Sequence, residues 1–204
     1  MKQIVRKTAG VAAALALTAS VAACTSTTTD TTEGTAATLT PSVSVSVPSV
    51  SVPGMDANKT AELTAADGTK VELKGPIAVK YEAATDKQKA DLGKVLTGAD
   101  ASGTSDSGVV FQQFDGGVIT AQPGKPAYIT WGKIRDAWNV KRDSSGEPAA
   151  DGKGGSNGPL GAATSDETEE GALKVSTFEH GKITFDQSAD KVVVTVNDKV
   201  VATK

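Results

Sequence analysis

The sequence has very little of several residue types on which protein chemistry often depends. Its 204 residues include one cysteine, Cys24, one histidine, His180, and only two Trp, two Tyr and four Phe. A single cysteine cannot form an internal disulfide, and one cysteine with one histidine is too few for a zinc site. Basic residues do not outnumber acidic ones, since the chain has 21 Lys and Arg and 24 Asp and Glu. Without a basic excess, nucleic-acid binding is not expected.

The longest apolar run lies near the N-terminus, behind a short basic segment. Lys2, Arg6 and Lys7 precede residues 9–22, which carry no charge and are small or apolar apart from one threonine and one serine. This run is shorter than the about 20 apolar residues that a membrane-spanning helix needs, and it fits the apolar core of a signal peptide. It ends in Val21-Ala22-Ala23-Cys24, which resembles the lipobox of bacterial lipoproteins.

The lipobox resemblance implies what happens on both sides of Cys24. In lipoproteins a diacylglyceryl group is joined to the cysteine sulfur, and a peptidase then cuts before that residue. Residues 1–23 are therefore predicted to be a signal peptide, with Cys24 as the lipid-modified first residue of a mature protein at the outer face of the cell membrane. The alternative is an ordinary secretory signal with a chance cysteine. A lone cysteine in an exported chain needs an explanation, which favours the lipid.

Residues 24–59 differ in composition from the rest of the chain. Hydroxyl side chains fill residues 25–32 apart from one aspartate, and serine alternates with valine between Pro41 and Pro53. Alternation favours a strand, but the prolines of this segment remove backbone donors, and no large side chain is present to anchor a strand. We interpret the segment as a disordered tether with a reach of at most about 120 Å. Residues 60–204 remain for one folded domain.

An internal repeat appears when the C-terminal part of the chain is compared with itself. Residues 109–120 align with residues 173–184 at a constant offset of 64. Both segments predict a strand, a tight turn and a second strand, with Gly117 and Gly181 placed where a hairpin requires a positive φ. A third strand follows at the same offset, in residues 127–131 and 191–195.

A second self-match precedes each hairpin. Residues 75–81 resemble residues 132–138, and each segment places isoleucine four residues before an aromatic residue. That spacing puts both side chains on one face of a helix. Each helix leads to a Leu-Gly pair, Leu92-Gly93 or Leu160-Gly161. The predicted fold class is α+β, with two tandem copies of helix, Leu-Gly turn and antiparallel hairpin packed as one domain.

The ordered set of these residues resembles the LGFP repeat of actinobacterial cell-envelope proteins. The set is Gly-x-Ile-x-x-x-aromatic, then Leu-Gly, then Phe-x-x-Gly-x-Ile, and the copy that begins at Gly158 matches it best. Lys94-Val95 and Ala162-Ala163 stand where the family has the Phe-Pro of its name. The resemblance implies non-catalytic modules that hold proteins to wall polysaccharide, the arabinogalactan layer. Larger arrays in that family are thought to form a ring, which two copies are too few to close.

Three patterns that could carry chemistry are explained by loops and turns. Residues 154–158 spell G-x-S-x-G, but the flanking segments predict loops rather than the strand and helix of a hydrolase elbow. His180 falls in the turn of the second hairpin, where nothing makes it the base of a triad. The acidic residues 166–170 lack the alternating oxygen ligands of a calcium loop and are interpreted as a solvated loop with a helix start at Ser165. Catalytic residues, metal ligands and cofactors are therefore not predicted.

Aromatic residues are the remaining candidates for ligand contact, because sugar rings stack on exposed aromatic faces. Tyr128 and Trp131 lie on one predicted strand, where alternation places them on opposite faces, so that at most one of them belongs to the core. Trp138 shares a helix face with Ile134 and is predicted to be a core residue. Tyr128 and Trp131 are therefore the candidate ligand-contacting residues.

These patterns lead to one main hypothesis and two alternatives. The main hypothesis is a lipid-anchored, non-enzymatic cell-envelope protein that binds arabinogalactan, another wall glycan or a wall-associated protein. One alternative is a periplasmic lipoprotein that binds another protein through an exposed sheet edge and does not bind glycan. The other is a small esterase or hydrolase that uses Ser156 as its nucleophile.

Overall fold

The structure, a computed structural model, describes residues 54–204. The predicted signal peptide of residues 1–23, the predicted lipid site Cys24 and the predicted tether up to residue 53 lie outside the described residues. Within residues 54–204 there are three α-helices and four antiparallel sheets. No helix in this described part is both long enough and apolar enough to cross a membrane.

The elements follow one another as a hairpin, two helices, a four-stranded sheet, a helix, a second hairpin and a five-stranded sheet. The first hairpin and helices are β1 (Thr60–Thr64), β2 (Lys70–Lys74), α1 (Gly75–Ala83) and α2 (Asp86–Leu92). The middle sheet contains β3 (Ser102–Thr104), β4 (Val110–Gln113), β5 (Gly117–Ala121) and β6 (Ala127–Trp131), in that order. Next come α3 (Gly132–Trp138), β7 (Val140–Arg142), β8 (Pro148–Lys153) and a 3-10 turn, Gly155–Asn157. The C-terminal sheet contains β9 (Thr168–Glu170), β10 (Leu173–Phe178), β11 (Gly181–Asp186), β12 (Lys191–Val196) and β13 (Lys199–Val201), again in chain order.

The predicted α+β fold class is wrong, because strands dominate the described residues. Of the described residues, 42% are in strands and 17% in helices. Each α-helix spans only seven to nine residues. Several strands that the sequence analysis missed are short and polar, as in Pro148–Lys153 and Thr168–Glu170, so that apolar periodicity gives little sign of them.

The elements that the internal repeat predicted are present. The two aligned hairpins are β4–β5 and β10–β11, and the third strands are β6 and β12. The two predicted helices are α1 and α3, with Ile77 and Ile134 buried on them. A proline early in α1 suits its first turn, where a backbone N–H has no helical acceptor. Local periodicity therefore predicted these elements correctly, although it did not predict the overall class.

Two hydrophobic clusters lie on either side of the middle sheet. The first fills the space between α1, the β1–β2 hairpin and one face of that sheet, with Leu92, Phe114 and Ile119 fully buried. The second lies between the other face, α3 and the C-terminal sheet, around Trp138 and Ile183. The helix α3 contacts β5 and β6 on one side and β11 and β12 on the other. Burial from both sides explains why all five residues of β5 are buried.

In the first copy of the repeat, the Leu-Gly turn is attached to the β4–β5 hairpin by hydrogen bonds. The Gly116 N–H donates to the Leu92 carbonyl at 2.8 Å, and the Lys94 N–H donates to the Asp115 carboxylate at 3.2 Å. Gly93 has a φ of +74°, a conformation that glycine adopts without steric cost. The turn is therefore closed by a carboxylate that the neighbouring hairpin supplies.

The second copy repeats this arrangement at its own Leu-Gly turn. The His180 N–H donates to the Leu160 carbonyl at 3.0 Å, and the Ala162 N–H donates to the Glu179 carboxylate at 2.9 Å. Gly161 has the same φ of +74° as its counterpart. The hydrogen bond from Ala162 favours the carboxylate form and so lowers the pKa of Glu179 below its ordinary value. Both turns are thus held by the same set of contacts.

Gly117 and Gly181 do not have the positive φ that the sequence analysis assigned to them. Each is instead the first residue of a strand, packed closely against the next strand of its sheet. A Cβ on Gly117 would lie 3.0 Å from the Thr130 carbonyl oxygen, and a Cβ on Gly181 would overlap the Thr195 carbonyl oxygen. Close backbone approach, and not a left-handed conformation, therefore requires glycine at position 181 and favours it at position 117.

Each of three strand pairs is followed by a residue in the left-handed backbone conformation. Gly75 follows β2 with a φ of +56°, Gly132 follows β6 with +53°, and Asn197 follows β12 with +46°. Each donates its N–H to the residue just before the partner strand; the acceptors are the Lys59, Gly116 and His180 carbonyls, at 2.8, 3.3 and 2.8 Å. The β1–β2 hairpin therefore stands to α1 as β5–β6 stands to α3. At Asn197 the chain turns back into β13 instead of entering a helix.

Candidate functional site

A cavity of about 690 Å³ opens where the middle sheet meets α3 and the segment Lys153–Asn157. We call it the junction cavity, because its walls come from both copies of the repeat. Its volume falls within the range of about 300–1,000 Å³ that is typical of sites for small ligands. Polar groups that can form hydrogen bonds surround it; they include Thr104, Ser105, Gln113, Asn139, Ser156 and Asn157.

One face of the middle sheet forms the floor of the junction cavity. Phe111, Val118 and Thr120 line it from β4 and β5. Phe111 is half-buried, which leaves part of its ring available to a ligand. The Gln113 side-chain amide donates to the Asp100 carbonyl at 2.7 Å and so is held in place beside the floor. The floor thus combines an aromatic surface with a positioned amide.

Charged groups at the edge of the junction cavity nearly balance one another. The Arg135 guanidinium donates to the Asp136 carboxylate at 3.2 and 3.3 Å and to the Asp115 carbonyl at 3.4 Å. Lys153 adds a second cation, and Asp100 and Asp115 add two further carboxylates to the lining. No single sign of charge dominates, so the cavity has no electrostatic preference for a strongly charged ligand.

The G-x-S-x-G segment forms one wall of the junction cavity. The Ser156 hydroxyl donates to the Ser105 hydroxyl at 3.0 Å, and the Ser107 N–H donates to the Asn157 side-chain oxygen at 2.9 Å. These contacts join the second copy of the repeat to the β3–β4 turn of the first. The loop that was predicted ahead of this segment is instead β8, which pairs with β7. Among the described residues, those that line this cavity include no histidine.

A second cavity, of about 580 Å³, lies beside the Leu92-Gly93 turn, and we call it the turn cavity. Tyr81 lines it, with its ring stacked in parallel on Phe114 at a centroid distance of 5.7 Å. The Lys89 ammonium lies 5.6 Å from the centre of the Tyr81 ring, within the range of a cation–π contact. Asp115 lines both the turn cavity and the junction cavity.

Tyr128 and Trp131, the candidate contact residues from the sequence, lie on opposite faces of β6 as predicted. Trp131 packs against the first cluster and Tyr128 against the second, and both are half-buried. Neither side chain lines the junction cavity or the turn cavity. Trp138 is a core residue as predicted, with its ring 5.6 Å from that of Phe178 and its indole N–H donating to the Gly161 carbonyl.

The acidic stretch after Ser165 is not a helix start. Asp166 joins the two copies, because its carboxylate accepts the Ile129 N–H at 2.8 Å on the open edge of β6 and also accepts a hydrogen bond from Lys80 on α1. Glu167 is paired with Lys174 at 2.8 Å, and the next three residues form β9. Across residues 54–204, no group of three or more His, Cys, Asp or Glu side chains is arranged to hold a metal ion.

The described chain is a repeat-built β protein with a polar cavity where its two copies meet. The family model of the LGFP repeat matches residues 96–146. This match covers the middle sheet and α3, and with them most of the residues that line the junction cavity. It indicates a cell-envelope-associated repeat protein. The matched segment precedes the copy beginning at Gly158, which the sequence analysis took as the better match. No curated protein matches the chain.

The sequence analysis missed the aromatic residue of the junction cavity although it lies inside the aligned repeat. Phe111 aligns with Val175, and Gln113 aligns with Thr177, at the same offset as the rest of the hairpin. At both positions the two copies carry side chains of different size and chemistry. Such differences were the available signal for these two residues.

Proposed function

We propose that this protein is a lipid-anchored, non-catalytic component of the cell envelope whose folded domain binds wall polysaccharide in the junction cavity. Arabinogalactan is the first glycan to test, because the family resemblance implies it. The observation that carries the proposal is the position of the cavity. The segment of residues 96–146 that matches the LGFP repeat supplies most of its lining.

The lining of the junction cavity supports a sugar as its ligand. A sugar ring presents an apolar face together with many hydroxyl groups, so its site needs an aromatic surface and converging hydrogen-bonding groups. Phe111 supplies the aromatic surface, in place of the Tyr128 or Trp131 expected from the sequence. Gln113 and Arg135 supply donors, and the hydroxyl groups of the cavity wall supply both donors and acceptors.

The membrane anchor and the absence of catalysis are separate parts of the proposal. The anchor rests on Cys24, and two or three acyl chains hold a protein stably on a membrane. Mass spectrometry of the mature N-terminal peptide is expected to show acylated Cys24 and no residues before it; an unmodified thiol there would remove the anchor from the proposal. Ester hydrolysis that Ser156→Ala abolishes would contradict the non-catalytic part.

A sedimentation assay with isolated, deproteinised wall polysaccharide tests the glycan proposal. We expect the wild-type protein to sediment with the polysaccharide and the Phe111→Ala variant to lose most of this retention. Tyr128→Ala and Trp131→Ala are matched controls, since each removes a half-buried aromatic side chain outside the cavity, and circular dichroism shows whether each variant is folded. Equal retention of all three variants would exclude the junction cavity. Retention of the wild type only when wall proteins are left in place would indicate a protein partner.

A further inference from the structure

The turn cavity and the junction cavity have a lining residue in common. Asp115, in the turn between β4 and β5, lines both of them. Its carboxylate accepts the Lys94 N–H at 3.2 Å, which fixes the side chain at the boundary between the two cavities. The side chain of Asp115 therefore belongs to the lining of both cavities.

The two cavities are built on the same plan. The turn cavity combines Leu63 on β1 with Tyr81 on α1, and the junction cavity combines Thr120 on β5 with Trp138 on α3. In each pair the strand residue precedes the aromatic residue by 18 positions. The β1–β2 hairpin also stands to α1 as β5–β6 stands to α3, through the equivalent left-handed glycines. The cavities therefore recur with the structural repeat.

The turn cavity is lined by charged groups of both signs. Lys89 and Lys94 line it together with Asp115. The Lys89 ammonium is already engaged, since it lies over the Tyr81 ring and donates to the Glu82 carbonyl at 3.2 Å. The junction cavity likewise carries cations and carboxylates together. A ligand that extends through both cavities is therefore best matched if it is uncharged.

We infer that the ligand is an uncharged, linear oligosaccharide chain that occupies both cavities at once and passes beside Asp115. This inference rests on the proposed function and adds to it the class of glycan and a second binding site at the turn cavity. Repeated sites on one domain suit a polymer of repeated units. Once the first cavity is filled, binding in the second is intramolecular and raises the affinity without a second loss of translational freedom.

The length dependence of binding tests the inference. Deproteinised wall polysaccharide is partially hydrolysed, its neutral oligosaccharides are separated by size, and each fraction is titrated into the mature full-length protein in a calorimeter. We expect affinity to rise with chain length and then to level off, at least about tenfold above that of the shortest fraction that binds. The plateau marks the chain length that fills both cavities.

A blocking variant locates the second site. Ala90 is an exposed residue of α2 that lines the turn cavity, so Ala90→Trp places a bulky ring in that cavity without disturbing the core. Ala83→Trp is the matched control, because Ala83 is an exposed helical alanine that lines neither cavity. We expect Ala90→Trp to bind the shortest fraction as the wild type does and to lose the gain from longer chains, while Ala83→Trp keeps that gain. Thermal unfolding checks that both variants are folded.

The outcomes separate this inference from the proposed function. If the shortest binding fraction already reaches full affinity, or if both tryptophan variants keep the gain from longer chains, the second site is excluded and glycan binding in the junction cavity stands. If no fraction binds the wild-type protein, the proposed function fails and the inference fails with it.

Discussion

The two copies of the repeat share a frame but differ in the segment between the helix and the Leu-Gly turn. In the first copy this segment is α2, which begins with a capping box between Thr85 and Gln88. In the second copy it is the β7–β8 hairpin followed by a 3-10 turn. Residues of α2 line the turn cavity, and the segment Lys153–Asn157 lines the junction cavity. Each of the segments in which the copies differ thus adds part of the wall of one cavity, while the segments around them supply the rest of the lining.

The copies also differ in how the aromatic residue of the helix is held. Tyr81 stacks on Phe114 with an angle of 5° between the rings and remains half-buried beside the turn cavity. Trp138 meets Phe178 at 26°, is 6% exposed and is fixed by its hydrogen bond to the Gly161 carbonyl. The same position therefore serves the core in the second copy and remains partly accessible in the first.

Truncating these two aromatic residues is expected to give the largest effect and the clearest contrast. Trp138→Ala should lower the free energy of unfolding by about 3–5 kcal/mol, because it leaves a cavity in the second cluster and an unpaired Gly161 carbonyl. Tyr81→Ala should cost about 1–2 kcal/mol, since only part of its ring is removed from water. Urea unfolding followed by circular dichroism measures both values.

Conservative replacements are the controls for that comparison. Tyr81→Phe and Trp138→Phe keep an aromatic ring at each position, so each should lose less stability than the alanine variant at the same site. Equal losses for the two alanine variants would show that the copies do not differ in the way described.

A second contrast concerns buried polar groups at the aligned positions 112 and 176. The Gln112 side-chain amide donates to the Leu96, Ala101 and Gln113 carbonyls at 3.0–3.2 Å. The Ser176 hydroxyl is buried and finds no hydrogen-bond partner within residues 54–204. Gln112→Met should therefore cost about 1–3 kcal/mol, whereas Ser176→Ala should leave stability unchanged or raise it by up to about 1 kcal/mol. Chemical denaturation of the two variants against the wild type checks this, and a large loss for Ser176→Ala would reveal a missed partner.

The smallest expected effect is a pH dependence at the second Leu-Gly turn. The pKa of Glu179 is lowered in the folded protein, so its carboxylate adds stability above the unfolded pKa, and this contribution is lost as the pH falls through the lowered folded value. The side chain is largely exposed, so solvent screening limits the effect to less than about 1 kcal/mol. We expect the stability of Glu179→Gln to fall less steeply below about pH 4.5 than that of the wild type. Thermal melts from pH 3 to 7 provide the slopes, with Glu170→Gln as a control for removing one exposed carboxylate.

Patterns that are local in the sequence predicted most of the helices and hairpins that the two copies of the repeat share. Apolar alternation identified both hairpins of the repeat, and the four-residue spacing of isoleucine and an aromatic identified α1 and α3. The β1–β2 hairpin was missed although Asp67-Gly68 is a strong turn signal and both flanking strands alternate. It has no counterpart of similar sequence elsewhere in the chain, so comparison of the chain with itself did not reveal it.

Features that depend on distant residues could not be predicted in the same way. The wall of the junction cavity depends on the contact between Ser105 and Ser156, which are 51 residues apart. At Gly117 and Gly181 a carbonyl oxygen of the neighbouring strand lies close to the backbone, and the sequence gives no information on that distance. The lining of the junction cavity by Phe111, and not by Tyr128 or Trp131, also depends on packing between distant segments.

The left-handed residue that follows three of the strands has a practical consequence for rebuilding the molecule. Gly75, Gly132 and Asn197 occupy equivalent positions in the structural repeat. We therefore expect that a segment ending before one of them can be joined to a segment beginning at another with the same backbone conformation at the junction. Duplicating residues 75–131 at this seam would insert one more module together with its own recess, and excising them would remove one. At the third seam, Asn197-Asp198 reverses the chain into a hairpin. To add a module after β12, this two-residue turn would have to be replaced by a segment that enters a helix, as Gly75 and Gly132 do.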